Sequence, residues 1–266
     1  MSTGFPERVT LGRSGLQVGP LGLAGGYGVD RAGALRAFDA GVNYFYHGTL
    51  RRDGMATAIR DLAAGGHREE LVLVLQSYAR WPWLLERGLV KGLRALGLDH
   101  ADVLLLGWHR RLPERVLERA VALQERGLVR HLAISAHHRP AHVAFAADPR
   151  LDILHVRYNA AHTGAEQDIF PHLPAENRPG VVVFTATRWG SLLKKRRMPP
   201  GEAPLRAPEA YRFVLSNPHV HVCACGPRNG AELDEALTAL PAGPLTRDEE
   251  ARIRRIGAFV HGARRE

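Results

Sequence analysis

Eight short apolar runs recur along the 266-residue chain, and amphipathic stretches separate them. The runs fall at residues 21–26, 43–47, 71–76, 102–108, 131–136, 153–158, 181–187 and 220–226. Several are apolar without interruption, such as LVLVL, DVLLL and VVVF. A strand with one wet face alternates apolar and polar residues, whereas unbroken apolarity marks a parallel strand covered on both faces. Helical periodicity between the runs is clear at 31–40, 54–64, 84–96, 114–126 and 231–240. Thr246 and Glu249 have the spacing of a capping box that opens a last helix reaching about residue 259. Eight β units, each followed by a helix, predict a closed (β/α)8 barrel of the TIM type, one α/β domain over residues 1–266. An open doubly wound sheet is the alternative. It usually carries GxGxxG after the first strand, and Gly25-Gly26-Tyr27-Gly28 lacks that spacing.

Composition narrows the setting. The first fifteen residues hold no apolar core of a signal peptide, and no run approaches the roughly 18 apolar residues of a membrane span. No membrane role is expected, and a reducing cytoplasm is the expected location. Cys223 and Cys225 lie two apart on a predicted strand and share a face. The plain reading is two buried small side chains. The net charge of +9 favours anionic partners. Its densest cluster, Lys194-Lys195-Arg196-Arg197, precedes Met-Pro-Pro-Gly and reads first as a solvated loop, with residues 198–208 as a loop insertion. Contact with a phosphorylated cofactor is the second reading. Nucleic acid comes last, because no aromatic residues interleave the charges.

In a barrel of this type, chemistry sits at the C-terminal strand ends. The segments around those ends resemble one family. LGRSGLQVGPLGL at 11–23, GVNYF at 41–45, REELVLVL at 68–75 and LRALGLDHADVLLL at 93–106 stand in its order. ERGLVRHLAIS at 125–135, LDILHVRYN at 151–159 and NPHVHVCACGPRNGAELDEAL at 217–237 complete the series. The chain is thereby similar to the aldo-keto reductases over nearly its whole length, although no single motif carries the likeness. The resemblance implies a barrel that reduces carbonyls with a nicotinamide cofactor, usually NADPH. In that family a Tyr donates the proton, a Lys paired with an Asp lowers the Tyr pKa, and a His orients the carbonyl.

None of those four residues stands where the resemblance places it. The Asp position, at the end of the second predicted strand, is Tyr46. The Tyr position, five residues on, is Arg51. The Lys position is Gln76, and the His position, eight after Asp99, is Gly107. Removing one member of a buried charge pair strands the other, so the joint change to Tyr46 and Gln76 keeps the site neutral. A hydrogen bond between their side chains is expected. A rebuilt proton donor is sought in Tyr46, or in His109, which shares a face with Gly107 if the strand runs on. Without a nearby Lys, a Tyr keeps a pKa near ~10 and is a poor acid.

For the cofactor, the resemblance implies an adenosine-phosphate segment at Arg228, Asn229 and Glu232, with Arg228 facing a 2′-phosphate. It implies a pyrophosphate loop at Ser191 and Leu192. The nicotinamide end is less well kept: Ala136 follows Ser135 where the family has Asn, His155 replaces a Gln, and Thr185 beside Phe184 replaces the stacking aromatic. NADP(H) is the cofactor that the resemblance implies. The chain holds 14 histidines, several near strand ends, which raises a metal-dependent barrel hydrolase as a minor alternative. No HxH, HxxxH or HExxH pair stands where it is needed, so no metal ligand is assigned. Two main readings remain: a divergent NADP(H)-dependent oxidoreductase acting on a small-molecule carbonyl or alcohol, and a pseudoenzyme that binds a nucleotide or a protein partner.

Overall fold

The computed structural model describes residues 4–48 and 54–262. A short antiparallel hairpin, β1 (Val9–Thr10) and β2 (Gln17–Val18), comes first. The barrel strands are β3 (Leu21–Ala24), β4 (Tyr44–His47), β5 (Val72–Ser77), β6 (Ala101–Leu106), β7 (Val129–Ser135), β8 (Ile153–Arg157), β9 (Gly180–Phe184) and β10 (Val222–Cys225). They are all parallel to their neighbours and close in chain order, with β10 paired to β3. This is the (β/α)8 barrel expected from the apolar runs.

Strand periodicity sorts the side chains into two shells. Tyr44, Val72, Val74, Val103, Leu105, Ala133, Ile153, Val182 and Val222 fill the barrel interior. Phe45, Leu73, Leu75, Leu104, Leu132, Ile134 and Leu154 belong to the outer shell with the helices. The hairpin closes the bottom, with Leu11 and Val18 fully buried in the interior cluster. Gly22 on β3 makes room for the one large interior ring. A Cβ there would lie 3.1 Å from Tyr44 Cδ1 and 3.1 Å from Val222 Cγ1.

Ten α-helices surround the described strands: α1 (Arg31–Asp39), α2 (Met55–Ala64), α3 (Pro82–Leu96), α4 (Glu114–Glu125), α5 (Ala141–Ala147), α6 (Ala165–Asp168), α7 (Ala207–Leu215), α8 (Gly230–Leu237), α9 (Ala239–Ala242) and α10 (Arg247–Gly262). In α3, Leu85, Leu89, Leu93 and Leu96 follow the helical period and are buried, each contributing ~1.5–3 kcal/mol. Gly97, at φ 67°, ends that helix in a left-handed C-cap. The capping box opening α10 forms as expected: Thr246 N–H donates to Glu249 Oε2 at 2.7 Å and Glu249 N–H to Thr246 Oγ1 at 3.3 Å. None of the described helices is long and apolar enough to cross a membrane.

Two expectations need correction. Residues 198–208 are not loop throughout, since Pro208 lies in the first turn of α7, where its missing N–H costs nothing. The sixth strand stops at Leu106 rather than at residue 108, because Trp108 takes a left-handed φ of 57°. Cys223 and Cys225 are both free and buried on β10, as their plain reading held.

At the N-terminal end of the barrel, Asp102 is buried on β6. It accepts hydrogen bonds from Arg68 Nη1 at 2.9 Å, Arg130 Nη1 at 3.2 Å and the Leu73 N–H at 2.8 Å. This network lies at the face where barrels of this kind hold structure rather than chemistry.

Candidate functional site

A cleft of about 630 Å³ opens at the C-terminal ends of the strands. That volume is within the ~300–1,000 Å³ of small-molecule and cofactor sites. Its floor carries Tyr46 from β4, Gln76 from β5, Ser135 from β7 and His155 from β8. Tyr27, Tyr78, Trp108, Phe184 and Trp189 form aromatic walls, and the outer end reaches Arg228 and Glu232.

The expected neutral pair is present on the floor. The Tyr46 hydroxyl donates to Gln76 Oε1. Strand register explains the contact: Tyr46 pairs with Val74, so Gln76 is the next residue of β5 on the same face. The pair extends to the third changed position. A Cβ built on Gly107 would lie 2.7 Å from Gln76 Nε2 and 2.7 Å from two carbons of the Tyr78 ring. The space a side chain at 107 would need is thus filled by the Gln76 amide and the Tyr78 phenol. Burial raises the Tyr46 pKa well above its ordinary value, and the neighbouring Tyr78 and Tyr27 phenols raise it further. Tyr46 is therefore held neutral, as a hydrogen-bond donor and a very weak acid. Arg51, the fourth changed position, lies outside the described residues.

His155 reaches the cleft floor, where it is buried beside two tyrosines. The Tyr44 hydroxyl lies 2.8 Å from its Nε2, and the Tyr46 ring centroid is 6.4 Å from its own. Burial lowers its pKa to about 3, with His142 adding to the shift, so the imidazole is neutral at working pH. Ser135 lies on the same floor and accepts the Trp108 N–H at 3.3 Å.

His109 is not brought into the cleft. The left-handed turn at Trp108 swings the chain back, and the His109 N–H bonds the Ser135 carbonyl at 3.1 Å. Its ring is buried, with Nε2 accepting from Arg80 Nη1 at 3.0 Å. Burial and then the Arg80 charge lower its pKa to about 4. The shared-face argument fails because the strand does not run on.

At the outer end, Asn229 is the N-cap of α8 and accepts the Glu232 N–H at 2.9 Å, so its side chain is spent on the helix. Glu232 holds Arg228 through the backbone N–H at 2.8 Å and through Nε at 2.8 Å. Arg228 is consequently paired while still facing the cleft. Ser191 lies in a neighbouring small pocket instead. Leu192 packs its side chain in the core and gives its N–H to Thr187 O at 3.2 Å, leaving Leu193 and Lys194 at the cleft wall. The basic run is therefore divided, with Lys194 on the cleft and Arg197 on the small pocket.

Sequence reasoning missed Tyr27, Arg157 and Trp189, which all line the cleft. Arg157 ends β8, two residues past His155, and the same alternation that placed His155 could have found it. Trp189 had no periodic signal, because its φ of 54° lies outside any strand or helix. Among the described residues no group of three or more His, Cys, Asp or Glu side chains is placed to hold a metal ion.

No family model matches the chain, and no curated protein matches it. Solved structures do. The fold is similar to an aldo-keto reductase from Bacillus halodurans in its holo form, at 18% identity over 94% of this chain and 95% of that one, with a TM-score of 0.79. The apo form of that enzyme gives a TM-score of 0.75 at the same 18% identity and the same coverage of 94% and 95%. The chain shares the (β/α)8 barrel fold of these structures, the fold that the ordered sequence segments had implied.

Proposed function

We propose that this protein binds a phosphorylated nicotinamide dinucleotide of the NADP(H) type at the barrel mouth, and that it does not carry out the tyrosine-acid carbonyl reduction of the aldo-keto reductases. The observation that carries this reading is the neutral, filled centre: the Tyr46–Gln76 hydrogen bond, with Gln76 and Tyr78 occupying the space over Gly107. A proton donor matched to neutral pH needs a pKa near the operating pH, and Tyr46 is moved away from it. Dinucleotide binding is supported by a cleft that runs from the His155 floor to Arg228 at the start of α8, with Lys194 on its wall. A bound nicotinamide would supply hydride chemistry. The residues present here supply neutral donors and acceptors, Tyr46, Gln76 and Ser135, that orient a ligand by hydrogen bonds.

The second reading is an active reductase with a different proton donor. It is favoured by the cluster of three phenols, Tyr27, Tyr46 and Tyr78, on the cleft wall. Titration with NADPH, followed by nicotinamide fluorescence and then by addition of an aldehyde panel, decides between them. Saturable binding with no cofactor oxidation is the expected result. Oxidation by any aldehyde selects the second reading, and absence of binding overturns both.

A further inference from the structure

A smaller pocket of about 200 Å³ lies beside the cleft and shares Arg157, Thr185 and Trp189 with it. Four separate segments build it. Arg157 and Asn159 come from the end of β8, Arg188 and Ser191 from the loop after β9, Arg197 from the next 3-10 turn, and Val260 from α10. Three arginines, Arg157, Arg188 and Arg197, and His162 are among its lining residues, and no Asp or Glu is. Like charges gathered in one concavity repel, so the arrangement is favourable when an anion occupies the space between them.

The pocket wall is built to hold this arrangement. Arg188 is buried, and its Nη1 donates to the Val260 carbonyl in the last turns of α10. Asn159 is 1% exposed. Its Nδ2 donates to Thr185 O at 2.9 Å and its Oδ1 accepts the Ala161 N–H at 3.0 Å, which pins the loop to the barrel. Within that loop Thr185, Arg188 and Trp189 stand at φ 59°, 51° and 54°. Left-handed backbone is unfavourable for each of these residues, and the surrounding bonds hold it. Arg188 N–H donates to Thr185 O at 2.7 Å and Ser191 N–H to Arg188 O at 3.0 Å. Arg197 is exposed and, among the described residues, forms no ion pair with a carboxylate. Burial first, and then the Arg157 and Arg188 charges, lower the His162 pKa.

We infer that this pocket is an oxyanion subsite, taking the phosphate or carboxylate of an organic anion whose apolar body lies among the aromatic walls of the adjoining cleft. Guanidinium groups bind both oxyanions through paired N–H donors. The shared wall at Trp189 joins the two spaces, so one ligand can occupy both. The inference does not depend on the dinucleotide reading, because inorganic ions alone test it.

The test is calorimetric titration of the whole protein with inorganic phosphate and, separately, with acetate and benzoate, against chloride at matched ionic strength. Saturable single-site binding is expected, weakened about ten-fold or more in R157Q and in R197Q, since hydrogen bonds to charged groups carry this much. R197Q changes an exposed side chain and is expected to melt as wild type does, which separates lost binding from lost folding. R87Q, an exposed change on α3 that lines neither the pocket nor the cleft, is expected to bind phosphate as wild type does. Tighter phosphate binding assigns a phosphoryl ligand, and tighter carboxylate binding assigns an organic acid. The inference is overturned if neither anion saturates, if R197Q binds as tightly as wild type, or if R87Q loses the site. Repeating the phosphate titration with saturating NADP+ gives the last arm. Unchanged affinity supports a separate subsite, while complete exclusion gives the pocket to the dinucleotide's own phosphates and overturns it. If NADP+ does not bind at all, the dinucleotide reading falls and the phosphate result stands by itself.

Discussion

The Tyr46 hydroxyl donates its hydrogen bond to Gln76 Oε1, across adjacent strands of the barrel mouth. The two side chains form a neutral donor–acceptor pair with no charged member. Gln76 is only 5% exposed. Q76K alone therefore places an ammonium in a buried site without a counter-charge and is expected to cost about 3–5 kcal/mol, read by urea denaturation. Y46D alone buries an unpaired carboxylate and is expected to be comparably harmful. The double variant Y46D/Q76K is expected to recover part of the loss, giving a favourable coupling energy in the double-mutant cycle. Additive losses would show that the two positions do not act as a pair.

Gly107 lies against the same pair. Its Cβ position is taken by Gln76 Nε2 and the Tyr78 ring, each 2.7 Å away. G107H is expected to lower stability by about 1–3 kcal/mol through overpacking. The combination with Y78A vacates the ring and is expected to relieve part of that loss. If G107H is as stable as wild type, Tyr78 moves aside freely and the filled-centre argument loses its weight.

These relationships were partly legible in the chain. The Tyr46–Gln76 contact followed from residue type and strand alternation, both local properties. The eight barrel strands followed from short apolar runs, several of them unbroken as burial on two faces demands. The bottom hairpin did not, because strands of two residues, Val9–Thr10 and Gln17–Val18, carry no period. His109 was misplaced because one left-handed residue, Trp108, cancels the alternation on which its reading relied. The arginine pocket was hidden for a different reason: Arg157, Arg188 and Arg197 meet only through the packing of three separate segments.

The buried His155 ties stability to pH. Its folded pKa of about 3 is below the ordinary value of 6.5, so between these values the unfolded chain binds a proton that the native site refuses. Stability from this group is complete above ~6.5 and falls as pH drops towards ~3. H155Q is expected to make the acid-side loss shallower by about 1.4 kcal/mol per pH unit. The readout is the urea midpoint measured from neutral to acid pH. An unchanged slope would mean that the imidazole is not buried in its neutral form.

Asp102 separates the structural face from the functional one. It is 1% exposed and accepts from Arg68, Arg130 and the Leu73 backbone. D102A leaves the mostly buried Arg68 guanidinium without this partner and is expected to cost about 3–5 kcal/mol. Because the network lies at the opposite end of the barrel from the cleft, phosphate and NADPH affinities of the folded variant are expected to equal those of wild type. A large affinity change with the fold intact would couple the two ends of the barrel, which the packed interior layer of Val74, Val103 and Ile153 gives no reason to expect.

The outer end of the cleft gives the sharpest test of the dinucleotide reading. Arg228 is held by Glu232 through Nε at 2.8 Å and through the backbone N–H at 2.8 Å. A 2′-phosphate that uses Arg228 has to compete with that carboxylate. E232Q keeps the side chain's length and removes its charge, so it is expected to tighten NADPH by roughly three- to ten-fold while leaving NADH nearly unchanged. R228Q is expected to do the reverse, weakening NADPH by a similar factor and erasing the preference between the two cofactors. Both effects should shrink as salt is raised, because the side chains involved are exposed to solvent. Equal effects on NADPH and NADH would place the adenosine phosphate elsewhere on the mouth, and Lys194 would then be the next residue to change.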